Sequence, residues 1–207
     1  MANSRACAPM LTDRLKRSSG CLPAEDEGQN QSMHDIELII PEKAHTAKAD
    51  ALKREFFEHG ENVIHGSGLY DQMEYDQWLT FTEKNRNAKV EETAWAPSTT
   101  FFAVRKSDSE LVGMIDVRHH ILHPYLRDYA GHIGYAVRPS KRKKGYATQM
   151  LSQALAYAKQ LDIDRVMLGC YRGNVASMRT IEKNGGVKTK EVCDPDGRMT
   201  NIYWIEL

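Results

Sequence analysis

The stretch His132-Ile-Gly-Tyr-Ala-Val-Arg-Pro-Ser-Lys-Arg-Lys-Lys-Gly-Tyr-Ala-Thr148 decides how the chain is interpreted. Its first residues are typical of a strand, a basic loop follows, and from Ala147 onward apolar residues recur at helical spacing. A helix N-terminus leaves backbone N–H groups unpaired and carries a partial positive charge, so this junction favours an anion such as a phosphate. Gly145 lets the backbone approach a ligand closely, and Thr148 adds a hydroxyl group.

The four cations Lys141–Lys144 have two other interpretations, a solvated surface loop and a nucleic-acid patch. The chain carries 28 Lys+Arg against 28 Asp+Glu, and this zero formal net charge argues against nucleic acid as a partner. Neither G-x-x-x-x-G-K-[ST] nor G-x-G-x-x-G is present, which argues against kinase-like and dinucleotide sites. The strand before the loop and the helix after it favour a phosphate site.

Working outward from this stretch, period-two and helical patterns predict the order β-α-α-β-β-β-α-β-α-β-β. The order predicts an α/β (α+β) fold, a mixed and mostly antiparallel sheet flanked by helices in a single domain. The predicted elements are strands at 35–40, 99–105, 110–118, 132–137, 165–171, 187–192 and 201–207, with helices at 42–58, 71–85, 147–161 and 174–183.

Composition sets the class of protein and its surroundings. A content of 41% apolar and 27% charged residues is typical of a globular chain. Residues 1–32, rich in polar residues, are predicted to be a flexible tail before a domain at 33–207. No stretch is long and apolar enough to predict a membrane span, and four cysteines without a C-x-x-C favour the cytoplasm.

Two motifs resemble a known family. Arg142-Lys-Lys-Gly-Tyr-Ala147 resembles the R/Q-x-x-G-x-G/A acyl-CoA loop of the GNAT superfamily of N-acetyltransferases. Downstream, Asn174-Val-Ala-Ser177 followed by Glu182-Lys-Asn-Gly185 is similar to that family's N-x-x-[AS]…E-K-x-G segment. The predicted order of elements also agrees with the family fold.

The resemblance implies an acetyl-CoA site. Backbone groups near Val137 and Arg138 would pair with the pantetheine arm, and Asn174 and Ser177 would lie near its sulfur end. Asn174 is equally well explained as a plain N-cap of the helix that follows it. The pyrophosphate would be held by Arg142, Lys143, Lys144, Gly145, Tyr146, Ala147 and Thr148.

Several residues are candidates for transferring protons. Family members often use a tyrosine in the last helix to protonate the leaving thiolate, but Ile181 stands at that position, which leaves Tyr171, Tyr135 or water. For the base we consider His132, His120 and Asp116, with an exposed strand end as the alternative explanation of Asp116 and His120. The histidines also suggest a metal site, but their spacing is poor for one and we predict none.

The sequence therefore predicts acetyl transfer from acetyl-CoA to a primary amine of a small molecule or peptide, by direct attack in a ternary complex. The alternative is a CoA-binding sensor or regulatory module without catalysis. The 62–68 loop is expected to shape the acceptor pocket, whereas Tyr70, Tyr75 and Trp78 fit either that pocket or the core. The sequence does not decide between a monomer and a homodimer.

Overall fold

Seven strands and four α-helices, with short 3-10 and π turns between some of them, follow one another along residues 35–207, the part of the chain that the structure, a computed structural model, describes. The predicted tail 1–32 lies outside the described residues. The elements are β1 Ile36–Ile39, α1 Thr46–Glu58, α2 Tyr75–Arg86, β2 Ser98–Arg105, β3 Glu110–Arg118, β4 Ile133–Val137, α3 Tyr146–Gln160, β5 Arg165–Tyr171, α4 Val175–Lys183, β6 Val187–Cys193 and β7 Met199–Glu206.

The seven strands form two antiparallel sheets that meet at one point. One sheet has the order β1-β2-β3-β4 and the other the order β5-β7-β6. Gly131 bridges Leu168, and the His132 amide donates a hydrogen bond of 2.8 Å to the Met167 carbonyl. Beyond this junction β4 and β5 belong to different sheets, so a cleft opens between them.

The predicted order of elements is confirmed, and the boundaries differ where tertiary contacts override the local pattern. The first predicted helix begins with a separate 3-10 turn at Lys43–His45. The second starts at Tyr75 instead of residue 71, because Tyr70–Gln72 forms its own 3-10 turn and Met73 is extended. The buried Tyr70 hydroxyl donates to Asp50 of α1 at 2.6 Å, which is a contact that periodicity does not show.

Helices cover both faces of the first sheet. In β2, Phe101 belongs to the core cluster shared with α3, and its neighbour Phe102 to the cluster shared with α1 and α2. This alternation follows from the two-residue period of a strand. The apolar stripe predicted for α3 is buried, and its residues Met150, Leu151, Ala154 and Ala158 are each 0% exposed. No helix among the described residues is long and apolar enough to cross a membrane.

Candidate active site

The edge of β4 that faces the cleft carries unpaired backbone groups. The Arg138 amide donates to the Val112 carbonyl at 2.9 Å, which fixes the residues of β4 that bond to β3. Because alternate residues of an antiparallel strand bond to the same neighbour, the backbone groups of Tyr135 and Val137 point the other way, into the cleft. Val137 thus lies on the open edge, but its carbonyl accepts a hydrogen bond of 3.1 Å from Arg142 Nε, and the Arg138 amide is already used. The backbone groups of Tyr135 and the amide of Val137 remain free for a ligand.

The N-terminus of α3 adjoins this edge and holds a run of free amides. Gly145 caps the helix with a left-handed φ of 79°, and Lys143 has a φ of 62°. Within the described residues, the amides of residues 143–147 have no hydrogen-bond partner. A Cβ added at Gly145 would meet nothing within 4 Å, so there is space beside the amides. Such a run forms an anion-binding concavity.

Not every predicted loop residue offers the group that the sequence suggested. The Thr148 amide donates to the Gly145 carbonyl at 3.1 Å, so its hydroxyl is what remains for a ligand. The Tyr146 ring is 5% exposed and its hydroxyl accepts from Arg105 at 3.1 Å, which leaves only its amide at the site. Ala147 likewise contributes an amide.

The basic loop is held by carboxylates from distant segments. Arg142 makes a bidentate ion pair with Glu61 at 2.6 and 2.7 Å, and Lys141 pairs with Glu110 at 2.8 Å. Hydrogen bonding from Arg142 lowers the pKa of Glu61 below its ordinary value. The loop is therefore not a free basic patch, and Lys143 and Lys144 are its cations without an ion pair among the described residues.

Glu55 of α1 fixes the start of the same loop. It pairs with Arg138 and accepts a hydrogen bond of 2.7 Å from the Ser140 amide. Burial alone would raise the pKa of Glu55, but the Ser140 amide and Arg138 together lower it below its ordinary value. Glu55 and Glu61 lie about 80 residues before the loop and carry no motif, so the sequence does not predict them, and the loop's own excess of positive charge is the only signal for such partners.

On the α4 side, a pair of hydroxyl groups spans the cleft. The Tyr135 hydroxyl of β4 lies 2.8 Å from Ser177 Oγ of α4. Burial raises the pKa of Tyr135 to about 12, so its hydroxyl keeps its proton at neutral pH. The side chain of Asn174 accepts from the Ser177 amide at 3.1 Å, which confirms its interpretation as an N-cap. Ile181 is 1% exposed and belongs to the core.

The three predicted base candidates lie at the opposite face of β3 and β4. Asp116 is 4% exposed, accepts from the Thr100 hydroxyl at 2.8 Å and has Arg118 Nε at 3.9 Å. The ion pair that the alternative explanation required is therefore present, but Asp116 is buried rather than at an exposed strand end.

Both predicted histidines have one ring nitrogen occupied. His132 Nδ1 accepts from the Met167 amide at 3.0 Å, and His120 Nδ1 accepts from the Leu122 amide at 3.3 Å. A neutral imidazole that accepts at Nδ1 carries its proton on Nε2, so both rings present an N–H group. Desolvation, with a further contribution from Arg118, lowers the pKa of His132 to about 4. Desolvation also lowers the pKa of His120, whose Nε2 is buried without a partner.

The loop at residues 62–68 covers this face of β4. The backbone of Gly66 packs directly on that of Gly134, so that a Cβ added to Gly66 would lie 2.1 Å from the Gly134 carbonyl oxygen. Trp78, fully buried with Tyr70 and Tyr75 in the core, donates from Nε1 to the Ser67 carbonyl at 2.7 Å and fixes the loop.

The same loop brings His65 to the end of β5. The centroid of its ring lies 6.3 Å from that of the Tyr171 ring in an edge-to-face arrangement. The Arg198 guanidinium lies 4.3 Å from the centroid of the same Tyr171 ring. Because Gly66 lies on β4 and Tyr171 ends β5, His65 and Tyr171 span the cleft opposite the Tyr135–Ser177 pair. Among residues 35–207, no group of three or more His, Cys, Asp or Glu side chains could hold a metal ion.

A sheet that opens beside a helix N-terminus with free amides, with polar side chains on both sides of the opening, defines the class of acyl-CoA-dependent acetyltransferases. Residues 42–187 match the acetyltransferase (GNAT) domain, and the chain belongs to this family of N-acetyltransferases. The sequence is similar to the uncharacterized N-acetyltransferase YnaD of Bacillus subtilis (strain 168), with 25% identity over 166 residues that cover 78% of this chain and 93% of the relative.

Solved structures share the fold. A putative ribosomal-protein-serine acetyltransferase from Vibrio cholerae matches with a TM-score of 0.60 and 15% identity, over 84% of this chain and 95% of that one. The microcin C7 self-immunity acetyltransferase MccE, solved in complex with acetyl-CoA and AMP, matches with a TM-score of 0.60 and 17% identity. The match covers 84% of this chain and 93% of that one. The mixed helix and strand architecture predicted from the sequence is thereby confirmed.

Proposed function

We propose that the protein transfers an acetyl group from acetyl-CoA to a primary amine by direct attack in a ternary complex. The observation that carries this proposal is the run of free amides at residues 143–147 beside the open edge of β4. As a GNAT acetyltransferase the chain uses acetyl-CoA as its co-substrate, and these groups fit the two polar parts of that molecule.

The donor would be held mainly by the main chain. The free amides at 143–147, together with Lys143, Lys144 and the Thr148 hydroxyl, bind the diphosphate. The open edge offers the N–H and C=O groups of Tyr135 and the N–H group of Val137 to the pantetheine amides, as one strand does to another. Arg138 and Arg142 contribute through their ion pairs with Glu55 and Glu61, which set the shape of the loop.

The thiol end of the donor would lie at the Tyr135–Ser177 pair. When the amine nitrogen attacks the thioester carbonyl, the carbon–sulfur bond breaks and its electron pair goes to sulfur. The Ser177 hydroxyl donates a proton to that thiolate and takes one from Tyr135. The Tyr135–Ser177 pair thereby takes the role of the tyrosine that many family members have in the last helix, at the position where this chain has Ile181. A thiol pKa of about 8.5 keeps the required assistance modest.

His132, His120 and Asp116 would form a polar floor on the acceptor side. The Nε2–H groups of the two histidines are suited to donate hydrogen bonds rather than to accept a proton. Asp116 holds Arg118 and Thr100 in place beneath the 62–68 loop.

A panel of amines tests the function. One similar structure is named as a putative ribosomal-protein-serine acetyltransferase and another as a spermidine N-acetyltransferase, so the panel contains a short peptide with a free α-amine and spermidine, together with L-phenylalanine as a simple α-amino acid. We expect CoA release, followed with a thiol reagent, for at least one of the three, with the acetylated amine found by mass spectrometry. Tight CoA binding without turnover on any amine would instead support the sensor module.

A further inference from the structure

We infer that His65 is the general base that accepts the proton of the acceptor ammonium group. This inference rests on the proposed acetyl transfer and adds a residue that the family motifs do not contain. It follows from the hydrogen bonding of the histidines, the position of the 62–68 loop and the chemistry of the amine.

His65 differs from the other histidines in its free ring nitrogens. Of the seven histidines among residues 35–207, His65 alone makes no hydrogen bond within the described part of the chain. Four others accept a hydrogen bond from a backbone N–H at Nδ1, namely His45, His120, His123 and His132. In the remaining two a ring nitrogen is hydrogen-bonded, to a carbonyl in His59 and to a hydroxyl in His119. A proton acceptor needs a free lone pair, and only His65 offers one beside the cleft.

The loop places this ring on the side from which an acceptor would enter. Ile64 and Ser67 are 2% and 1% exposed, so the residues around His65 are anchored while its ring still contacts solvent. The ring meets Tyr171 across the cleft, and Tyr171 precedes the Asn174–Ser177 segment by only a few residues. Because the loop packs on Gly134 and successive residues of a strand face opposite ways, His65 lies on the other side of β4 from the Tyr135–Ser177 pair proposed to protonate the thiolate.

Desolvation, with a contribution from neighbouring charges, lowers the pKa of His65 and keeps its imidazole neutral at pH 7. Arg198 from the start of β7 and Arg118 from β3 act in the same direction as desolvation. Asp71 and Glu61, from the segments flanking the loop, oppose them. The net shift is downward from 6.5, so the ring is unprotonated above that pH and ready to accept a proton.

Asp116 is a poorer choice for this step. It is 4% exposed, it already accepts from Thr100, and the loop at Gly66 closes over the strand beside it. An ammonium group would have to displace that loop to reach its carboxylate, whereas His65 borders the opening directly.

The proton balance of the step is complete. A ring nitrogen of His65 takes one proton from the ammonium, and the freed lone pair attacks the thioester carbonyl. As the carbon–sulfur bond breaks, the Ser177 hydroxyl donates its proton to sulfur and takes one from Tyr135. The imidazolium then releases its proton to solvent. The amine nitrogen, positively charged after the attack, loses its second proton to solvent, and solvent returns one proton to the Tyr135 oxygen, so that the net release is a single proton. Without a base only the free amine reacts, and for a pKa of about 10.4 this is roughly one molecule in 2,500 at pH 7.

The pH dependence of His65→Gln distinguishes a base from a structural residue. We expect kcat/KM to fall by up to about 100-fold at pH 7 with the fastest amine of the panel, and the deficit to shrink about tenfold per pH unit until the pH reaches the pKa of that amine, since the amine then deprotonates unaided. His59→Gln is the matched control, because His59 ends α1 outside the cleft, and it should match the wild type at each pH. Added imidazole should partly restore His65→Ala at pH 7.

A deficit that stays constant from pH 7 to pH 9, or no deficit, overturns the role of His65, and so does a lack of imidazole rescue. Melting curves of the variants confirm that they are folded. Failure of the proposed function looks different, because the wild-type protein itself would then release no CoA with any amine of the panel.

Discussion

The two sides of the cleft are built from different parts of the polypeptide. The donor side consists mainly of main-chain groups, the amides at 143–147 and the open edge of β4. The acceptor side consists of side chains, with His65 from a loop and Tyr171 from the end of β5. Main-chain groups are positioned by local conformation, so a short motif specifies the donor side. The side chains meet only in the folded chain, so no motif specifies the acceptor side.

The largest effect is expected from adding negative charge on the donor side. Gly145→Asp places a carboxylate against the diphosphate, and because like charges in contact cost several kcal/mol we expect the Kd for CoA to rise at least about 100-fold in calorimetric titration. Gly197→Asp is the matched control, since both glycines have a φ of 79° and open surroundings. Gly145→Ala shows how much of the loss comes from backbone strain alone, and equal losses for Ala and Asp would contradict a diphosphate at these amides.

Removing the hydroxyl pair should affect chemistry and spare donor binding. For Tyr135→Phe and for Ser177→Ala we expect kcat to fall about 10- to 100-fold, below the upper range for general acids because the thiolate is a good leaving group. Tyr157→Phe is the control, since that hydroxyl also lies 2.9 Å from another hydroxyl, Thr99 Oγ1, but away from the cleft. A changed Kd for CoA with unchanged kcat would remove the pair from the reaction.

A smaller effect is expected from the carboxylates that support the loop. Glu61→Gln removes the partner of Arg142, and because partly exposed ion pairs contribute about 0.2–1 kcal/mol we expect a two- to fivefold weaker Kd for CoA. Glu206→Gln, which breaks the exposed pair with Arg165 far from the loop, should leave that Kd unchanged. A loss as large as that of Gly145→Asp would mean that Arg142 contacts the donor directly.

The smallest effect is an acid dependence of stability. Glu55 and Glu61 have pKa values below their ordinary 4.5, so each contributes stability that is fully present above pH 4.5 and is lost as pH falls through its lowered pKa. We expect the wild-type protein to melt at a higher temperature than Glu55→Gln/Glu61→Gln at pH 6, and this gap to narrow below pH 4.5. A gap that is constant from pH 6 to pH 3 would show that the two carboxylates act through shape rather than charge.

The sequence predicted the fold and the donor side well. Period-two and helical patterns set the order of elements, and the amphipathic run after Gly145 predicted a helix from Ala147, one residue after its observed start at Tyr146. The division into two sheets was not predictable, because strand patterning shows no partners and the junction depends on the single register of His132 with Met167.

The acceptor side was only partly predictable. The alternation of β4 placed His132 on one face but could not tell which face the 62–68 loop covers, and that depends on the contact of Gly66 with Gly134. His65 has no periodic or motif context of its own. Its importance emerges only once the partners of every other described histidine are known.

The unpaired edge of β4 has a consequence for handling the protein. Exposed strand edges recruit other strands, and between Ile133 and Val137 this strand carries no charged residue and no proline of its own, although the Arg142 side chain covers the Val137 carbonyl. A small molecule that occupies the edge would shield it from neighbouring molecules in solution. Concentrated stocks should therefore remain clear longer when they are stored with the donor than without it.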